Sequence, residues 1–475
     1  MCVPFAKAGK LTALVVALAL SGCALQMPDT DRMLAEAAPE QWSVSYIQKG
    51  DAIEMERFWE AWYEPELKAL IERAQVANPD VLTALASLRS ARASLTAANA
   101  SLWPTASIGA SAETRRADSR TEEAYGADAN GAWTINLAGG TLAERDAAVF
   151  NAYAKSLTVA DTRELVAAET AQAYINLRAA RAQLEIQKLS IKNSEETAAV
   201  ARWRADAGLA SRSEAEDAEV KLATAKARLP EIEASEAEYR NALARLTAQP
   251  ADGLNLNNDA TVPVPPQGLT VSIPAETLMR RPDIQSALAA IRSAAESLRK
   301  AESDYFPTLS LKGSIGTQAA SVSALGASGT GIASLVGALT MPILNWGALQ
   351  AAEESAAAGL DEAKARYVSA VVKALEETDN ALQGIRSADA KEALLAKALK
   401  HAESSHRLSN LEYRSGIGDY AMLLNAEQSL LSVRESVLSN QAARANEVVM
   451  LYRALGGAWG AEQEEKRGIE KTDMQ

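Results

Sequence analysis

The sequence predicts a mainly α protein with a small membrane β portion, built from a duplicated helix–strand–strand–long helix hairpin unit. Three observations carry this. The stretch from Asn78, NPDVLTALASLRSARASLTAANASLWPTASI, returns from Arg281 as RPDIQSALAAIRSAAESLRKAESDYFPTLSL, with no gap. A repeat of this size marks a doubled supersecondary unit. In both copies a helical pattern ends at an aromatic–proline corner, Trp103-Pro104 and Phe306-Pro307, and the residues beyond it alternate with the period of a strand. Each copy then carries a long stretch poor in glycine and proline, which reads as a long helix and its return.

From Pro65 a helical pattern runs to about Ser101. Thr105, Ser107, Gly109 and Ser111 then face opposite to Ala106, Ile108, Ala110 and Ala112, giving a strand near 104–112. The stretch from Glu113 to Gly131 reads as a polar loop, and Trp133, Ile135 and Leu137 alternate with Ala132, Thr134 and Asn136 in a second strand near 132–138. Thr141 to Ala207 lacks both glycine and proline, and Leu177, Leu184, Ile191 and Ala198 recur at steps of seven. A helix of that length reaches roughly 100 Å at 1.5 Å per residue. After a turn at Gly208 the chain returns with Ala218, Leu222, Ala225 and Leu229 at helical spacing, is kinked by Pro230, and ends near Ala248. Two such helices form a coiled-coil hairpin.

A proline-rich linker separates the copies, and the second repeats every step. Leu309, Leu311, Gly313 and Ile315 oppose Thr308, Ser310, Lys312 and Ser314 in a strand near 307–316, and Leu335, Leu339, Met341 and Ile343 mark another near 333–344. A long helix starts at Trp346-Gly347, turns at Gly416-Ile417-Gly418 and returns to Gly456-Gly457. The expected organisation is a signal peptide (1–22), a lipidated N-terminal segment (23–62), a first repeat (63–255), a Pro-rich linker (256–276), a second repeat (277–460) and a polar tail (461–475).

The N-terminus places Lys7 and Lys10 before the apolar run LTALVVALAL, too short to span a bilayer as a helix. Leu20-Ser21-Gly22-Cys23 resembles the lipobox cleaved before a lipid-modified cysteine, so Cys23 is the expected lipidation site. Bacterial lipoproteins kept at the inner membrane typically show Asp after that cysteine. Ala24 and Leu25 stand there instead, which directs the chain to the outer membrane, extending into the periplasm.

The net charge of −13 disfavours nucleic acid as a partner. Only 5% of residues are aromatic while alanine is abundant, which suits long, closely packed helices. His401 and His406 are spaced i,i+5, off a common helix face, and read as ordinary surface residues. GASGTG at 326–331 lacks the lysine of a phosphate loop and reads as loop flexibility. No nucleophile motif or His/Cys/Asp constellation is present, so no enzymatic activity, cofactor or metal is expected.

After the signal there is no apolar run long enough for a transmembrane helix, so any membrane passage falls to the strands. Their apolar faces call for lipid, and Ser, Thr, Asn and Lys312 then face a wet lumen. Backbone groups unpaired in hydrocarbon are too costly, so the strands close into a barrel. Four strands cannot close, and the barrel is shared between copies of the chain. Two copies supply eight strands and three supply twelve, and the larger number leaves obvious room for a conduit. Trp103, Trp133, Tyr305, Phe306 and Trp346 at the strand ends read as an interfacial girdle.

IPAETLMRRPDI from Ile273, the Phe306-Pro307 corner, MPILNWG from Met341 and ALGGAW from Ala454 together resemble the TolC-like outer membrane factors, specifically the lipoprotein branch serving multidrug and metal efflux (the NodT/OprM type). The resemblance covers nearly all of the mature chain. It implies a homotrimer, with a 12-stranded β-barrel continuous with a 12-helix tunnel. It also implies a periplasmic adaptor and an inner membrane pump as partners, alongside outer membrane lipid. The family's periplasmic gate and adaptor contact map to Gly208, Leu209 and Ser211 in the first copy and to Gly416, Ile417 and Asp419 in the second. Many members carry a pore-facing aspartate beyond the second tip; here Asn425 stands there, with Met422 one turn earlier. A neutral ring repels anions less and binds cations less tightly.

The function expected is a passive exit duct of a tripartite efflux system for drugs or metals. An outer membrane duct for type I protein secretion shares the fold, and a non-conducting periplasmic coiled-coil scaffold lipoprotein is the alternative from another class. A scaffold has no use for four segments apolar at alternate positions. The cargo itself is not legible, since a wide conduit selects little.

Overall fold

The computed structural model describes residues 55–117, 120–266 and 278–459. The expected signal peptide, the Cys23 site, the start of the IPAETL motif and the polar tail lie outside the described residues. The chain forms two compact units, each drawing on both sequence copies. The described parts of the first lie within Ser87–Ser156 and Ser286–Ser369, and those of the second within Leu34–Ala86, Leu157–Gln285 and Ala370–Gln475.

Twelve principal elements are described. Helices α1 (Pro65–Ala77) and α2 (Pro79–Ala100) precede strands β1 (Thr105–Ala117) and β2 (Arg120–Asn136). Helices α3 (Gly140–Asp206), α4 (Arg212–Ala227) and α5 (Leu229–Leu246) complete the first copy. The second copy supplies α6 (Pro282–Ser303), β3 (Thr308–Ala319), β4 (Gly331–Thr340), α7 (Trp346–Arg414) and α8 (Tyr420–Ala454). Among the described residues no helix is long and apolar enough to cross a membrane.

In the first unit the four strands form one antiparallel sheet in the order β1-β2-β3-β4. The register sets Thr105, Ala132, Lys312 and Val336 in one row and Ser107, Asn130, Ser314 and Ser334 in another, so the predicted faces hold. One face carries Ile108, Trp133, Ile135, Leu309, Leu311, Ile315, Leu335 and Leu339, with no charge where β2 and β3 are paired; past Tyr125 opposite Ala319 the β1–β2 ribbon adds Glu123 and Arg116 to it.

Each of the four strands differs in its limits from expectation. The segment read as a loop from Glu113 to Gly131 is a paired ribbon, with Glu113 opposite Ala124 and Arg115 opposite Glu122. Main-chain pairing sustains it, although Gly, Ala, Asp and Asn in β2 blur the apolar alternation. β3 likewise runs on past Gly316 to Ala319. β4 stops at Thr340 rather than 344, because Pro342 has no N–H to give to the ladder.

The corners form as the sequence requires. Trp103 N–H closes a turn on Ala100 O at 3.1 Å, and Phe306 N–H does so on Ser303 O at 3.1 Å. Pro104 and Pro307 then start extended backbone. Trp133 Nε1 donates to Leu102 O at 3.1 Å, and Tyr305 Oη donates to Glu353 Oε2 at 2.8 Å. Asn136 Oδ1 accepts the amides of Ala138 and Gly140 at 3.0 and 3.1 Å, capping α3.

The second unit has its core where α1, α3, α5, α7 and α8 meet, around Tyr174, Ile175, Leu177, Leu243, Leu382, Val449 and Tyr452. The end of the segment expected to be irregular enters this core: Phe58 stacks on Tyr452 with centroids 4.1 Å apart, and Trp59 and Trp62 pack edge-on to Phe58. The start of the linker is also fastened. Arg178, fully buried, donates from Nε to Thr261 O at 2.9 Å and from Nη1 to Tyr174 Oη at 2.6 Å.

Two of the motifs quoted for the resemblance touch each other. Arg281 donates from Nη1 to Ala454 O at 3.2 Å and pairs through Nη2 with Asp283 and Glu377 at 2.7 and 2.8 Å. Gly456 has φ +96, and a Cβ there would lie 3.0 Å from Arg280 O. Glycine is needed on both counts.

Candidate functional site: the hairpin tips

Both hairpins lie in the second unit and turn through the same sequence of hydrogen bonds. After α3, Gly208 takes φ +71 and donates to Ala205 O at 3.0 Å, while Leu209 N–H reaches back to Arg204 O at 2.8 Å. After α7, Gly416 takes φ +74 and donates to Tyr413 O at 3.1 Å, while Ile417 N–H reaches Glu412 O at 3.0 Å. This is a glycine C-cap that satisfies the last helical carbonyls. The return helices start from side-chain caps: Ser211 Oγ accepts Glu214 N–H at 3.1 Å, and Asp419 Oδ1 accepts Ala421 N–H at 3.4 Å.

The caps leave an apolar residue outward at each apex, Leu209 at 72% and Ile417 at 85% exposure. Met422 and Asn425 are exposed on the first turns of α8, while Tyr420 and Leu423 on the same helix are buried. The structure thus places Gly208, Leu209, Ser211, Gly416, Ile417 and Asp419 at matching turns. Asp419 is engaged as a helix cap.

What joins the two hairpins is a set of residues the sequence reading missed. Tyr413, 1% exposed on the last turn of α7, donates its hydroxyl to Glu214 Oε1 on α4 at 2.8 Å. Arg204 on α3 donates from Nη1 to Tyr413 O at 3.0 Å, and its guanidinium lies 4.7 Å from the centroid of the Tyr413 ring. Arg414 pairs with Glu196 at 3.1 Å, and Thr197 donates to Glu427 at 3.1 Å. Ala198, Ala201, Ala218, Tyr420 and Leu423 form the apolar packing beneath. A signal was present: Ser211-x-x-Glu214 is a capping-box pattern, but Glu214 spends its carboxylate on Tyr413.

Burial, then the hydrogen bond to Glu214, hold the Tyr413 hydroxyl protonated far above the ordinary tyrosine range. Burial and the charges of Glu427, Asp217 and Glu214 push Tyr420 up to about 12. His406 corrects the surface reading. Its side chain is 15% exposed, with Nε2 3.8 Å from Glu427 Oε1.

A four-stranded sheet whose two faces differ in polarity, together with long helix hairpins ending in matched tips, is the architecture of the strand-and-hairpin class of outer membrane channel proteins. Residues 70–249 and 273–457 match the family described as outer membrane efflux protein, and the chain belongs to that family. It is an efflux channel protein of the outer membrane.

The pyoverdine export outer membrane protein OpmQ of Pseudomonas aeruginosa is 26% identical over 476 residues, 98% of this chain and 99% of that protein. The cation efflux system protein CusC of Escherichia coli K12 is 26% identical over 477 residues, 94% of this chain and 99% of that protein. Among solved structures, the outer-membrane channel OprN has a TM-score of 0.84 at 24% identity, covering 92% of this chain and 98% of that one. The open state of the Neisseria gonorrhoeae MtrE outer membrane channel has 0.78 at 26% identity, covering 89% and 97%.

Proposed function

We propose that three copies of this chain assemble into a passive exit duct of a tripartite efflux system. The reading is carried by the sheet: β1 and β4 have no further strand partner among the described residues, and one face is free of charge wherever β2 and β3 are paired. Unpaired edges beside hydrocarbon demand closure with other copies. Three copies give twelve strands and twelve hairpin helices. Cys23 anchors each chain to the lipid.

The hairpin tips form the periplasmic entrance and the contact with an adaptor, which an inner membrane pump loads. Leu209 and Ile417, outward at matched positions, give that contact an apolar footing. Tyr413, Arg204 and Glu214 hold one hairpin against the other, and opening requires their separation. The chain supplies no energy, so transport is driven by the pump. Export of drugs or metals fits better than protein secretion, because the relatives named above serve pyoverdine export and cation efflux.

Mass measurement in detergent and planar bilayer recording test this together. A trimer with discrete conductance is expected. A monomer, or a trimer without conductance even in Tyr413→Phe and Glu214→Gln variants, overturns the duct.

A further inference from the structure

Where all four strands are paired, the polar face of the sheet is nearly free of charge. There it carries Ser, Thr, Asn, small residues, Ile332 and Val336, and two ionisable side chains, Lys312 and Asp128. Among the described residues neither forms an ion pair. The other charged positions of this face, Glu113, Arg115, Glu122 and Arg120, lie on the β1–β2 ribbon past the last β2–β3 pair, Tyr125 with Ala319.

The register separates the two. Lys312 shares its row with Thr105, Ala132 and Val336, near the start of β3. Asp128 shares its row with Gly109, Gly316 and Ile332. The rows are four residues apart on β3, about 13 Å at the rise of a strand.

Asp128 sits in a place cleared for it. Both its cross-strand partners are glycines: a Cβ on Gly109 would stand 3.4 Å from Asp128 Oδ2, and one on Gly316 would come within 2.8 Å of Asp128 Cβ and 2.6 Å of Ala127 O. Asn130 Nδ2 donates to Asp128 Oδ2, orienting the carboxylate along the face. Lys312 lies between Ala132 and Val336, with no acidic neighbour in its row or the next.

We infer that Lys312 and Asp128 set the charge preference of the barrel lumen, as a cationic ring toward the helix end of the strands and an anionic ring toward their hairpin end. This rests on the duct proposed above, which turns one lysine and one aspartate per chain into rings of three. At physiological ionic strength the Debye length is about 8 Å, so rings about 13 Å apart act separately on a passing solute. Anionic solutes are concentrated at the first ring and cationic ones at the second. The wall is thereby polarised along the path of export, and the cargo class it sorts is the charged small molecule.

Ser314 lies in the row midway between the rings, opposite Asn130 and Ser334. A Ser314→Cys reporter, in whole cells, is reacted with an anionic and a cationic methanethiosulfonate reagent, with the unaltered chain as background. The ratio of anionic to cationic rates is expected to fall roughly threefold or more with Lys312→Gln, to rise by a similar factor with Asp128→Asn, and to stay put with Lys312→Arg. A reporter that reacts with both reagents at a ratio moved by neither Lys312→Gln nor Asp128→Asn overturns the charge assignment and leaves the duct standing. A reporter that reacts with neither reagent overturns the wet lumen, and the duct with it.

Discussion

Tyr413 Oη lies 2.8 Å from Glu214 Oε1 across 199 residues of sequence, and this hydrogen bond joins the second hairpin to the first. It is buried on the tyrosine side and made to a charged acceptor, the stronger kind of hydrogen bond. The same tyrosine accepts Arg204 at its carbonyl and carries that guanidinium over its ring. One side chain therefore gathers contacts from α3 and α4.

Tyr413→Phe keeps the ring and its packing but removes the donor. A hydrogen bond to a charged group contributes about 2 kcal/mol, so the closed arrangement of the tips should weaken by about that much. Single-channel recording is expected to show an open probability at least about tenfold higher than in the parent. An unchanged open probability would mean that closure depends on other contacts.

Alkaline pH should loosen the same place. The folded pKa of Tyr420, pushed up to about 12, lies above its ordinary value of 10.0. A raised folded pKa gives stability that is complete below pH 10 and is lost as pH rises toward about 12. Thermal melts across that interval should show a falling midpoint, and Tyr420→Phe should flatten the fall. Equal slopes in parent and variant would refute the role of Tyr420.

Gly384 and Glu447 offer a test of helix approach in the second unit. A Cβ at Gly384 would lie 2.5 Å from Glu447 Cδ, and burial pushes the Glu447 carboxyl above its ordinary range. Glycine costs a helix about 1 kcal/mol against alanine. Gly384→Ala alone should lower the melting midpoint or leave it flat, whereas with Glu447→Ala it should stabilise by about 1 kcal/mol. A double-mutant cycle with no coupling would show that Glu447 swings away freely.

Much of this protein was legible because its signals are local. Helix α3 was expected from Thr141 to Ala207 and runs Gly140–Asp206, since nothing in that stretch interrupts a helix. The Pro230 kink is the break between α4 and α5 at Arg228. The two strand faces followed from alternation and survived in the register. The charged β1–β2 ribbon was missed because its stability comes from pairing, which composition does not display.

The sequence by itself determined the duplication, the helix and strand types, the glycine turns at Gly208 and Gly416 and the faces of the sheet, because each depends on residues within a few positions of one another. The tertiary structure alone decided the partners: Tyr413 with Glu214, Arg281 with Ala454, Phe58 with Tyr452, and the glycines across from Asp128. These contacts join residues far apart in the chain, and only the packed helices and the strand register bring them within reach.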